Sequence, residues 1–226
     1  MLNIDVHKQQ LSKLLLSIIS DKELGAVLGF KGGTALYFFE DLPRFSTDLD
    51  FDLLGEPSFD IEQKIRELVA DNINILDEKT KRFTWFWLGS YGKGETKIKV
   101  EVNTRKYPNT YEVRSFRGYS MKVMVKEDMV AHKLCAILDR RKMQNRDLYD
   151  AWFMLSKGWG VNENIVELRT NTTLKKYWNE LLEMLRSLPE KYDILSGLGE
   201  VMSDSQKDWV KAKLRQSLEI EIASRI

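Results

Sequence analysis

Near the N-terminus Leu11, Leu14, Leu15, Ile18 and Ile19 recur at i, i+3, i+4, i+7 and i+8. That is the spacing of one helical face, and it predicts an amphipathic helix. A tight turn follows at Gly32-Gly33, and the apolar run after it suits the start of another helix. From Thr47 to Leu54 polar and apolar residues alternate with period two. This is a strand with one wet, acidic face of Asp48, Asp50 and Asp52, while Leu49, Phe51 and Leu53 turn inward. Residues 59–71 return to helical spacing through Ile61, Ile65, Leu68 and Val69. Phe83 to Leu88 and Thr96 to Val102 read as strands joined by a glycine-rich turn at Gly89 to Gly94. Tyr111 to Val125 reads as further strand, broken at Gly118. From Lys126 onward the pattern is helical, with loops at Gly158-Trp159-Gly160 and Gly197-Leu198-Gly199. The elements predict an α+β chain: a mixed sheet with flanking helices over residues 1–125, then a helical domain over residues 126–226.

Composition adds boundaries. The chain is 43% hydrophobic and 31% charged, the profile of a globular protein. Thirty-five basic residues stand against 34 acidic ones, for a net charge of +1, so a polyanion has to be met by a local patch and not by a global field. The single cysteine, Cys135, excludes an internal disulfide. No apolar run approaches the ~20 residues of a membrane span, and the first residues lack a signal-peptide pattern, so the expected location is the cytoplasm. Two histidines and one cysteine make a zinc site improbable. His7 has no evident partner, and His132 is expected to be structural. Trp85, Phe86, Trp87, Tyr177 and Trp178 are expected to pack.

The candidate chemistry lies on the acidic strand. Carboxylates at i, i+2 and i+4 repel one another on one face, and a hard cation such as Mg²⁺ or Mn²⁺ would offset that cost. An edge strand charged against aggregation explains the pattern equally well. Gly32-Gly33-Thr34 shifts the balance, since glycines at a helix N-terminus let a phosphate approach backbone N–H groups. In Lys97 to Asn103 the alternation puts Lys97, Lys99, Glu101 and Asn103 on one face and Ile98, Val100 and Val102 on the other. If that strand lies beside Asp48, Glu101 completes a triad; otherwise it is a surface charge among lysines. A second charged cluster runs from Lys126 to Asp150. Lys133 is suited to a triphosphate as a point charge. The arginines Arg140 and Arg146 are suited to pairing with carboxylates, and Asp150 suits the N-terminal end of the next helix. Internal salt bridges within a helix–loop–helix are the plainer reading of all three, and Asp147 either caps a helix or acts in a site.

The stretches Phe30 to Leu36, Arg44 to Phe51, and Arg140 through Asp150 with Lys133 ahead resemble the polymerase-beta-type nucleotidyltransferase superfamily and, more narrowly, the AbiEii/AbiGii toxin family. Glu101 stands where many relatives carry aspartate. The resemblance implies a minimal nucleotidyltransferase fold followed by a helical bundle. It implies transfer of a nucleoside monophosphate from a nucleoside triphosphate to an acceptor hydroxyl, aided by Mg²⁺ or Mn²⁺. It implies a tRNA 3′ end as acceptor, a role as the toxin of a type IV toxin–antitoxin system used in abortive infection, and a separate antitoxin protein as partner. By position, Asp48, Asp50 and Glu101 would hold metal. Gly32, Gly33 and Thr34 would contact phosphates, with Arg44 and Ser46 supporting the turn or the phosphates. Lys133 would touch the triphosphate and Asp147 would occupy a later acidic site. A small molecule or a protein hydroxyl as acceptor stays open, as does a non-catalytic nucleotide-binding module.

Overall fold

The computed structural model describes residues 3–92, 96–198 and 202–226, so the ends of the expected turns at Gly94 and Gly199 lie outside the described residues. The chain divides into two compact units, Met1–Met124 and Val125–Ile226.

The first unit is built on a seven-stranded mixed sheet with flanking helices. Its elements are α1 (Ile4–Ser20), α2 (Lys22–Val27), β1 (Leu28–Lys31), α3 (Gly32–Phe39), β2 (Asp48–Leu53), α4 (Phe59–Asn72), β3 (Asn74–Lys81), β4 (Thr84–Ser90), β5 (Lys97–Asn103), β6 (Tyr111–Phe116) and β7 (Tyr119–Met124). The strand order is β3-β4-β5-β2-β1-β7-β6. At its centre β2 runs antiparallel to β1 and parallel to β5. Alternation on these strands sorts the side chains. Phe30, Leu49, Phe51, Ile98, Val100, Val102, Trp85 and Trp87 are buried, against helices α1 and α4. The predicted stripe of α1, Leu11 through Ile19, is buried throughout, and Asn3 caps that helix through Val6 N–H. Ser58 caps α4 in the same way.

The sequence pattern missed β3. Asn74–Lys81 holds only two apolar residues and forms an edge of the sheet, where exposed charge replaces the alternation that a half-buried strand would show.

The second unit is helical: α5 (Lys126–Asp139), α6 (Asn145–Ser156), α7 (Glu163–Thr170), α8 (Leu174–Ser187), α9 (Asp204–Trp209) and α10 (Arg215–Ala223), the last two joined by a wider, π-type turn at Val210–Leu214. Helix α5 packs on α6 and α7, while α10 packs on α6 and α8. Tyr177 and Trp178 of α8 are buried in this core, and the Tyr177 hydroxyl donates to the carbonyl of Leu134 at 3.0 Å. Among the described residues no helix is long and apolar enough to cross a membrane.

Candidate active site

The strand register decides which acids meet. Parallel pairing of β2 with β5 sets Asp48 opposite Lys99, Asp50 opposite Glu101 and Asp52 opposite Asn103. On the other side of β2, Lys31 of β1 is opposite Asp50. All of these share the sheet face turned away from the apolar core.

Asp48, Asp50 and Glu101 surround one cation. The Lys99 ammonium lies 3.3 Å from Asp48 Oδ2, 3.6 Å from Asp50 Oδ1 and 3.4 Å from Glu101 Oε2. All four side chains stay partly open to solvent. Lys99 was legible as a neighbour of Glu101 from the alternation. Its position among the acids needed the register.

Asp52 departs from the expected wet face, because its carboxylate is buried and saturated. Oδ1 accepts from Lys31 Nζ at 2.5 Å and Asn103 Nδ2 at 2.7 Å. Oδ2 accepts from the Tyr111 hydroxyl at 2.6 Å and Asn109 Nδ2 at 3.0 Å. Burial alone would push this carboxyl up, but the charge of Lys31 and the hydrogen bonds of Lys31, Tyr111 and Asn103 outweigh it and hold it below its ordinary value. Nothing in the period-two pattern distinguishes Asp52 from Asp48. The covering residues arrive from β1, β5 and the segment before β6.

The glycine turn stands directly against this cluster. Gly32 has φ of +81°, a left-handed backbone, and a Cβ there would lie 2.5 Å from Asp50 Oδ2, so both conformation and space call for glycine. A Cβ on Gly33 would lie 2.8 Å from Ser46 Oγ and 2.9 Å from Arg44 Nη2. Arg44 and Ser46 are thus buried against the turn, and Arg44 Nη1 also donates to the carbonyl of Phe45 at 3.0 Å. Thr34 is fully buried and its hydroxyl donates to the Asp48 carbonyl, so a phosphate contact at Thr34 would fall to its backbone N–H. No side chain caps α3 at Lys31, which leaves the first N–H groups of that helix as anion donors.

His7 has partners after all. It is buried, with Nδ1 2.6 Å from the Tyr91 hydroxyl and Nε2 3.4 Å from the carbonyl of Thr47, the residue before Asp48. Burial lowers its pKa, against the opposing pull of the Thr47 carbonyl and the Asp48 charge. These partners are remote in sequence from α1, so the local pattern gave no sign of them.

The second cluster lies inside the helical unit. Lys133 of α5 pairs with Asp147 Oδ1 at 3.1 Å and Asp150 Oδ2 at 2.8 Å, both on α6 and both fully buried. Arg140 Nε lies 2.9 Å from Asp147 Oδ2, close enough to pair by charge but not aligned as a hydrogen bond. His132 is bonded to Arg169, which also donates to Asp139 at 2.6 Å.

Among the described residues, no three His, Cys, Asp or Glu side chains converge tightly enough to grip a metal in this arrangement. The donor chemistry nonetheless fits one: three carboxylates offer the hard oxygens that Mg²⁺ and Mn²⁺ prefer, and they already enclose a cation, Lys99.

Two solved structures share this fold across nearly the whole chain. JHP933 from Helicobacter pylori is 20% identical with a TM-score of 0.57, covering 100% of this chain and 95% of its own. A second Helicobacter pylori chain, described as a nucleotidyltransferase, is 21% identical with a TM-score of 0.56, covering 97% and 96%. No curated protein matches. The class is that of the nucleotidyltransferases, carried by the match of a family model over most of the chain. Residues 13–222 match the family described as "Nucleotidyl transferase AbiEii toxin, Type IV TA system", and the chain belongs to that family.

Proposed function

We propose that this nucleotidyltransferase moves a nucleoside monophosphate from a nucleoside triphosphate to an RNA hydroxyl, the 3′ end of a tRNA, and that Asp48, Asp50 and Glu101 carry the reaction. The observation that supports this reading is the register pairing Asp50 with Glu101, with Asp48 on the same face and the Gly32 turn against Asp50. The acceptor oxygen forms its bond to the α-phosphorus as the bond to the departing pyrophosphate breaks. Glu101, on the rim of the cluster, positions the acceptor hydroxyl and takes its proton on a carboxylate oxygen. The N–H groups that open α3 face the phosphates. Arg44 and Ser46 hold Gly33 in place, and the Thr34 hydroxyl fixes the backbone of Asp48. Asp48, Asp50 and Glu101 would hold a divalent cation, which when bound supplies Lewis-acid stabilisation of charge on the phosphates. Lys133 and Asp147, carried from the family likeness, are proposed to contribute to transfer. The family further supports a toxin role opposed by a separate antitoxin protein.

The test incubates the purified chain with each labelled nucleoside triphosphate, Mg²⁺ and total RNA, with small-molecule and protein acceptors in parallel. Label in the tRNA fraction is expected, and Asp48→Asn should abolish it while the variant still folds. Label only in other acceptors would overturn the RNA reading. Full transfer by Asp48→Asn would overturn the site.

A further inference from the structure

Strand alternation puts a lysine in the middle of an otherwise acidic face, and register sets it opposite Asp48. The Lys99 ammonium touches three carboxylates at nearly equal distances, 3.3, 3.4 and 3.6 Å, which is the arrangement of an ion among ligands and not of a one-to-one salt bridge. The contrast with Lys31 is direct: that ammonium sits 2.5 Å from a single, buried carboxylate. Three carboxylates around one ammonium leave the cluster net negative, so it still attracts a cation. Lys99 keeps part of its side chain in water, and its unbranched stem lets the charge swing away without moving the strand.

We propose that Lys99 is the resident counter-ion of the acid cluster, held where a divalent cation would bind and displaced by it. This rests on reading Asp48, Asp50 and Glu101 as the cation site. The lysine keeps the three acids from repelling one another before substrate arrives. It also raises the concentration at which free metal can enter, so that entry favours metal already carried by a nucleoside triphosphate. Lys99 is a positioning residue in this account, acting through the acids.

Two measurements test it, both without turnover. In the first, Mn²⁺ is titrated by electron paramagnetic resonance into nucleotide-free wild type, Lys99→Met and Lys99→Arg. Lys99→Met should bind Mn²⁺ at least tenfold more tightly, about 1.4 kcal/mol. Lys99→Arg, which keeps the charge, should show no such gain. General damage to the fold weakens binding and cannot produce this tightening. Equal or weaker binding by Lys99→Met overturns the proposal. The second uses the unaltered chain: acetic anhydride labels lysines, and mass spectrometry reads Lys99 with and without saturating Mg²⁺. Released from the carboxylates, Lys99 should label several-fold faster with metal, and an unchanged rate overturns the proposal. If no chain binds Mn²⁺ at all, the cation-site reading itself fails and the inference goes with it. If every chain binds Mn²⁺ equally, only the role of Lys99 fails.

Discussion

Asp48 and Asp52 are two turns of the pleat apart on one strand face, and they should answer the same substitution in opposite ways. In Asp52→Asn, one carboxylate oxygen becomes an NH₂ donor. On the Oδ1 side that donor would face Lys31 and Asn103; on the Oδ2 side it would face the Asn109 amide and Tyr111. In either orientation Lys31 loses its charge partner. Removing one member of a buried pair costs about 3–5 kcal/mol, and because the Lys31 side chain retains 22% exposure the low end, about 3 kcal/mol, applies. For a chain of this size that is a fall in melting temperature of roughly 6–12 °C. Asp48→Asn instead removes one of three mutually repelling acids, and its stability should change by less than about 1 kcal/mol. The assay is thermal and urea unfolding of both variants, repeated across pH. The folded Asp52 carboxyl titrates below its ordinary 3.8. Its contribution is therefore complete above that pH and is lost as the pH falls through the lower, folded value, so the gap between wild type and Asp52→Asn should close below about pH 4. An Asp52→Asn protein as stable as wild type at neutral pH, or an Asp48→Asn protein equally destabilised, would refute the division of roles between the two acids.

Other residues give equally direct tests. Lys133→Met strands Asp147 and Asp150, both fully buried, so the urea midpoint should drop by the equivalent of about 3 kcal/mol or more, with partial rescue by Lys133→Arg. Gly32→Ala forces a side chain into a left-handed backbone and onto Asp50, and labelled-nucleotide transfer should fall by roughly a hundredfold, the size expected when reacting groups shift by about an ångström. His7 titrates below its ordinary 6.5 because it is buried. Its contribution is complete above that pH and declines as the pH falls, so unfolding midpoints at about pH 7.5 and pH 5.5 should differ more in wild type than in His7→Asn. The Cys135 thiol, raised to about 11 by burial, should resist iodoacetamide in the native protein and react once it is unfolded in guanidinium.

What the sequence revealed, and what it hid, follows from the range of the forces involved. Helix α1 and strand β2 were legible because one buried face imposes a period on neighbouring residues, and that face is written into the spacing of Leu11 to Ile19 and of Leu49 to Leu53. Strand β3 was not legible, since an edge strand pairs through its backbone and leaves its side chains free to be charged. Glu101 could be proposed as a third acid from alternation alone, but its position beside Asp50 is a property of the β2–β5 register, which no local pattern encodes.

The three aspartates of β2 carry that argument furthest. Their spacing is identical and their side chains point the same way, so a periodic reading assigns them one role. Their environments separate them. Asp52 is enclosed by Lys31, Asn103, Asn109 and Tyr111, donors that match its two oxygens and leave no room for a ligand. Asp48 and Asp50 instead share the partly exposed Lys99 ammonium with Glu101, at 3.3 to 3.6 Å from each acid. A carboxylate with fixed, complete partners supports structure, and one with a shared, displaceable partner is available for chemistry. Lys133 has a structural part beside its proposed part in transfer, because the two acids it pairs with are fully buried and would be stranded if it left. A loss of transfer in a Lys133 variant therefore reports on chemistry only in a protein whose unfolding midpoint has been restored.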